Sequence, residues 1–134
     1  MISLVQYFGK KPHTKDHEMN AKTLLGKVHL MCQYYGIVPY VDPDTGSQIS
    51  GSKGGAGDGG FRLPDSTTGV QSSAHKEAKA VDVYDPDNLL DKAIDKNDQG
   101  LVIYDLYREH PDATPGWCHL STRPPGSKRR TYRP

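Results

Sequence analysis

His75 and Asp82 stand seven residues apart in Ser73-Ala74-His75-Lys76-Glu77-Ala78-Lys79-Ala80-Val81-Asp82, and His119 follows in Gly116-Trp117-Cys118-His119-Leu120. Two imidazoles and one carboxylate make three-quarters of a tetrahedral zinc shell and leave a vertex for water or substrate. A structural zinc is usually closed by a fourth protein ligand, so an open set of three points to chemistry. On a straight strand, residues seven apart lie about 23 Å from each other on opposite faces. His75 and Asp82 can share an ion only if the chain folds back between them, and the small Ala78 is the expected place for that turn.

The elements needed to position these groups follow from periodicity. In residues 79–84, Ala80, Asp82 and Tyr84 share one strand face. In residues 116–121, Trp117, His119 and Ser121 share a face, with Cys118 and Leu120 on the other. Ahead of them, Ala21, Leu24, Leu25, Val28, Met31, Cys32 and Tyr35 form one helical apolar stripe that Gly36 is placed to end. A strand is expected over residues 37–41, then a turn at Asp42-Pro43-Asp44-Thr45-Gly46 and a Gly- and Ser-rich loop to residue 60. Asp85 and Pro86 read as the cap and first position of a second helix with Leu89, Leu90, Ala93 and Ile94 on its buried face. Residues 101–104 have the composition of a strand. The expected class is α+β, a small antiparallel sheet with flanking helices whose floor carries the metal site.

Taken together, these residues resemble the zinc D-alanyl-D-alanine carboxypeptidases and dipeptidases, which share a fold with hedgehog amino-terminal domains and several phage endolysins. The family pattern S-x-H-x-x-G-x-A-x-D is matched by Ser73, His75, Ala80 and Asp82, with Ala78 in the glycine position. Its terminal W-x-H is matched by Trp117 and His119, and its upstream G-[FY]-R by Gly60-Phe61-Arg62. The likeness covers residues 19–134. It implies a hydrolase, a zinc metallopeptidase cutting bacterial peptidoglycan stem peptides at D-Ala or L-Ala/D-Glu bonds, in the cell-wall degradation of a phage. Zinc on His75, Asp82 and His119 would supply a water nucleophile at neutral pH and polarise the scissile carbonyl. By the same resemblance Arg62 would pair with a substrate carboxylate or the developing oxyanion, and Ser73 and Trp117 would bind substrate.

One position departs from that pattern. The family's general base is an acid three residues before the last histidine, and here that residue is Gly116. Glu77, Glu109 and Asp112 are the replacements available, and Asp112, in the loop leading into the ligand strand, is the first choice. The alternative is a catalytically inactive zinc-binding module of a phage particle or cell-wall surface.

Composition narrows the remaining classes. The 134 residues suffice for one modest core, so residues 1–134 read as a single domain with a polar lead-in over 1–18 and a basic tail or edge strand over 122–134. Hydrophobic residues make up 34% with 14 Gly and 10 Pro, so loops are extensive. A net charge of +1 argues against a nucleic-acid binder driven by bulk electrostatics, and no apolar run suits a membrane span. A monomer is expected. No secretory signal is visible at the start, so synthesis in a bacterial host's cytoplasm is expected, with a holin or virion giving access to the wall. Cys32 and Cys118 read as buried thiols. Residues 55–60 match G-x-G-x-x-G, residues 46–53 resemble a P-loop, and Asp42 and Asp44 hint at calcium, but each lacks its required context and reads as loop. His13, His17 and His110 read as surface or loop residues and His29 as exposed.

Overall fold

A computed structural model describes residues 1–51, 58–66 and 73–134. The chain forms α1 (Leu4–Phe8), α2 (Lys15–Tyr35), β1 (Ala80–Tyr84), α3 (Leu89–Lys96), α4 (Gln99–Ile103), β2 (Tyr107–Glu109), β3 (Trp117–Ser121) and β4 (Thr131–Tyr132). Single 3-10 turns at Ala74–Glu77 and Pro111–Ala113 lead towards β1 and β3. The class is α+β.

Helix α2 follows its apolar stripe. Ala21, Leu24, Leu25, Val28, Met31 and Cys32 are buried, and Gly36 closes the helix in the left-handed region at φ 67°. At its start Thr14 and His17 cap each other's backbone N–H groups. His13 stacks on Phe8 with ring centroids 3.7 Å apart, so both histidines serve the helix entry. The lead-in is less polar in effect than its composition suggests, because Ile2, Tyr7 and Phe8 are buried in the main core. His29 is half-buried.

The sheet runs β1-β3-β2-β4 and is mixed, where a purely antiparallel one was expected. β3 pairs antiparallel with both β1 and β2. The chain then returns antiparallel to β3 but docks outside β2, and so lies parallel to β2. The basic segment over 122–134 therefore ends as an edge strand.

Three local expectations change. Residues 37–41 form no strand: Pro39 offers no donor, and Val38, Tyr40 and Val41 are exposed. Residues 101–104 fall mostly within α4, a turn that brings the Gly100 backbone against Tyr35, whose hydroxyl accepts from Gly100 N at 3.1 Å. A Cβ at Gly100 would sit 2.6 Å from that ring. Asp85 is not the helix cap, since Asn88 takes that place at φ 52°. The Asp85 carboxylate still accepts from Leu89 N and Leu90 N at 2.9 Å each, so it satisfies the same orphan donors from one turn away. The glycine-rich and P-loop-like stretches reach into residues 52–57, outside the described residues.

Beneath the sheet, Val81, Val83, Cys118 and Leu120 face the helices, and both cysteines are free and buried. One charge shares that side. Arg108 is 3% exposed and bonds Asp91 Oδ1 at 3.1 Å, Asp95 Oδ1 at 2.7 Å and Thr131 Oγ1 at 3.1 Å. It thereby ties α3, β2 and β4 together.

Candidate metal centre

The fold-back between the first two ligands falls where it was expected. Ser73 Oγ accepts from His75 N at 3.2 Å and starts the 3-10 turn, and Ala78 ends it in the left-handed region at φ 57°. A residue with a Cβ costs about 1–2 kcal/mol there, which is the physical reason a glycine suits this position. β1 then carries Asp82 back beside His75.

Strand register supplies the third ligand. Asp82 pairs with His119 across β1 and β3. The Asp82 N–H donates to Gly59 O at 2.7 Å and its carbonyl accepts from Ser50 N at 2.8 Å, both away from β3. Asp82 and His119 are thus a non-hydrogen-bonded pair, the kind whose side chains stand closest. His119 Nδ1 lies 2.8 Å from Asp82 Oδ1, and His75 Nε2 lies 3.5 Å from the same oxygen. One donor atom from each residue lies within 4.8 Å of the others.

The donor set fits a small divalent cation. Tetrahedral zinc at about 2.1 Å from its ligands spaces neighbouring donors about 3.4 Å apart. The His75–Asp82 separation matches that value, and the shorter His119–Asp82 contact is a hydrogen bond that a cation would replace. His75 Nδ1 is 2.9 Å from Gly60 O, which leaves Nε2 pointing at the site. Gly60 itself is packed against the α1 backbone, where a Cβ would lie 2.5 Å from Tyr7 O. Burial alone would push the Asp82 carboxyl up, but His75 and then His119 outweigh it and hold it well below the usual carboxylate range. Asp82 is therefore ionised at neutral pH, and the stability this pairing contributes is lost as acid protonates it.

Around these atoms lies a cavity of about 450 Å³ lined by Arg62, Ser73, Glu109, Trp117, Arg123 and Tyr132, among others. Arg62 Nη2 is 3.6 Å from Asp82 Oδ2, and its Nε donates to Asp58 O at 2.7 Å. Trp117 sits on the cavity face of β3, one step from His119. Asp112 is elsewhere: its exposed carboxylate lies 3.5 Å from Arg133 and 3.6 Å from His110, and it does not line the cavity. Glu77 is also turned away, towards Arg123 at 3.1 Å. The acid brought to the site is Glu109, with Oε2 3.9 Å from His119 Nδ1. Burial pushes its carboxyl above the ordinary range, and Asp82 adds to this while His119 opposes it. Gly116, at φ 91°, makes the turn into β3.

Seen across the sheet, one row contains Asp82 on β1, His119 on β3, Glu109 on β2 and Tyr132 on β4. The pairings Asp82–His119 and Glu109–Tyr132 are direct, and continuing the Arg108–Leu120 register sets Glu109 beside His119. Neither Glu109 as a member of this row nor Tyr132 is marked by a motif. Their only signal is position in short strands.

Compared with protein-family models, curated proteins and solved structures, the chain matches none. No helix among the described residues is long and apolar enough to cross a membrane.

A metal-loading experiment follows from the geometry. If the group takes zinc, the ion at 100 times its Kd is expected to raise stability by about 2.7 kcal/mol, or about 10 °C in Tm for a chain of this size. Asp82→Ala abolishes the shift, because it removes one of the three donors. Thermal melts with and without chelator check this; no zinc-dependent shift in the unaltered protein counts against the site.

Proposed function

We propose that the protein is a zinc-dependent peptidase acting on bacterial peptidoglycan stem peptides, with a fold of the hedgehog and D,D-peptidase type. The observation that carries this reading is the convergence of His75, Asp82 and His119 in a cavity that also holds an acid, Glu109, and a cation, Arg62. Zinc is the preferred ion because a His, His, carboxylate set with an open vertex is that of zinc hydrolases. When bound, zinc would activate water and polarise the scissile carbonyl.

The chain's own groups supply the remaining steps. Glu109 takes the proton from the attacking water and returns it to the leaving amine. Burial raises its pKa, which strengthens it as the base in the first transfer. Arg62, held by Asp58 O and Asp82, presents its fork to a substrate carboxylate or the carbonyl oxygen. Ser73 keeps His75 in place through its backbone N–H, and Trp117 forms a cavity wall against the peptide.

Incubating purified peptidoglycan with the zinc-loaded protein tests the proposal. New amino termini or free D-alanine appear, and His75→Ala removes both zinc and release. Bound zinc without release would favour a wall-binding or virion module instead.

A further inference from the structure

Tyr132 is the one member of the cross-sheet row with no part in the reading so far. Its ring centroid lies 6.4 Å from that of His119, and it lines the same cavity. The hydroxyl makes no hydrogen bond among the described residues, whereas Tyr7 donates to Ala80 O and Tyr35 donates to Asn97 O. Asp82, Glu109 and Arg123 all lie within electrostatic reach of the phenol. Burial, then Glu109 and Asp82, push its pKa up to about 12, so at neutral pH it keeps its proton.

The strand that presents it is short but firmly placed. His110 N donates to Tyr132 O at 2.6 Å, and Arg108 N donates to Arg130 O at 2.7 Å. The Arg108 guanidinium also holds the Thr131 hydroxyl from below. A two-residue edge strand secured by a buried arginine positions one side chain over the cavity, and that side chain is a proton donor without a partner among the described residues. The two arginines on the wall are already engaged, Arg62 with Asp82 and Asp58 and Arg123 with Glu77.

We propose that Tyr132 is a catalytic hydrogen-bond donor whose hydroxyl binds the oxygen of the scissile carbonyl as it gains negative charge. The inference rests on the peptidase reading for its substrate, but not for its geometry. A donor aimed at charge that develops during reaction raises kcat more than it tightens substrate binding. Tyr132→Phe removes the hydroxyl and keeps the ring, so packing against His119 is preserved.

Two measurements test it on the zinc-loaded full chain. The first is calorimetric affinity for a phosphonate analogue of D-alanyl-D-alanine, whose tetrahedral phosphorus centre carries oxygens like those of the reacting carbon. The second is the split between kcat and KM on a peptidoglycan stem peptide. Tyr132→Phe weakens phosphonate binding about 10- to 100-fold and lowers kcat about 100-fold, with zinc content and KM little changed. Equal phosphonate affinity in the two proteins overturns the inference, as does an unaltered protein that fails to bind the analogue. A protein that hydrolyses nothing yet loses phosphonate affinity on Tyr132→Phe keeps the donor and sinks the peptidase reading instead.

Discussion

On the proposed peptidase function, Glu109→Gln is expected to lower turnover of a peptidoglycan stem peptide by about 10²–10⁴-fold while zinc content stays the same. Glutamine is isosteric and keeps one carbonyl oxygen, but it cannot take a proton from water. The size of the loss follows from what a positioned base contributes to proton transfer. Glu109 has the required location, with Oε2 3.9 Å from the nearest ligand nitrogen and its side chain 20% exposed. Asp112→Ala is the matched control and leaves turnover unchanged, because that carboxylate is 73% exposed and engaged with Arg133 and His110. Steady-state rates and zinc analysis on both variants decide the matter. Full activity in Glu109→Gln, or a large loss in Asp112→Ala, would return the base to the loop before β3.

The largest effect on stability is expected at Arg108. Arg108→Met destabilises the protein by about 3–5 kcal/mol, read from urea denaturation at neutral pH. The guanidinium is 4% exposed and the Asp91 side chain 2% exposed, so removing the cation strands a buried carboxylate. Burial already pushes the Asp91 carboxyl up, even though Asn88 and Arg108 pull it down, which shows how poorly solvated that position is. Arg108→Met/Asp91→Leu recovers much of the loss, since an apolar pair of similar volume leaves no charge behind. Asp95 contributes less because its side chain is 56% exposed. A loss below about 1 kcal/mol in Arg108→Met would mean that the network is solvated and does not hold β4.

The two effects connect through the sheet. Arg108 and Glu109 are neighbours on β2, one facing α3 and the other the cavity, and both are paired with β4. Stability and the candidate site therefore share a three-residue strand. Loosening it from below displaces Glu109 and Tyr132 together.

Much of the centre was legible in the residues themselves. Asp82 and His119 lie in segments whose local period states which way each side chain faces, and His75 stands out by its spacing from Asp82. The turn at Ala78 follows because two residues seven apart cannot otherwise meet. Helix α2 was equally plain, since its apolar stripe and Gly36 are local signals. Less was available where the decisive interaction is remote. Residues 37–41 have strand-like side chains but no neighbour among the described residues to complete a ladder, and residues 101–103 are helical where Gly100 packs on Tyr35.

The acid at the site shows the limit most clearly. Chain distance favoured Asp112, which is nearer to His119 in sequence, whereas Glu109 is nearer in space. The sequence by itself determined the donor types, the faces of β1 and β3, and the need for a reversal before Asp82, because periods of 2 and 3.6 act within a few residues. Only the tertiary structure decided that β2 and β4 extend the same row, because strand register depends on pairing between residues far apart in the chain.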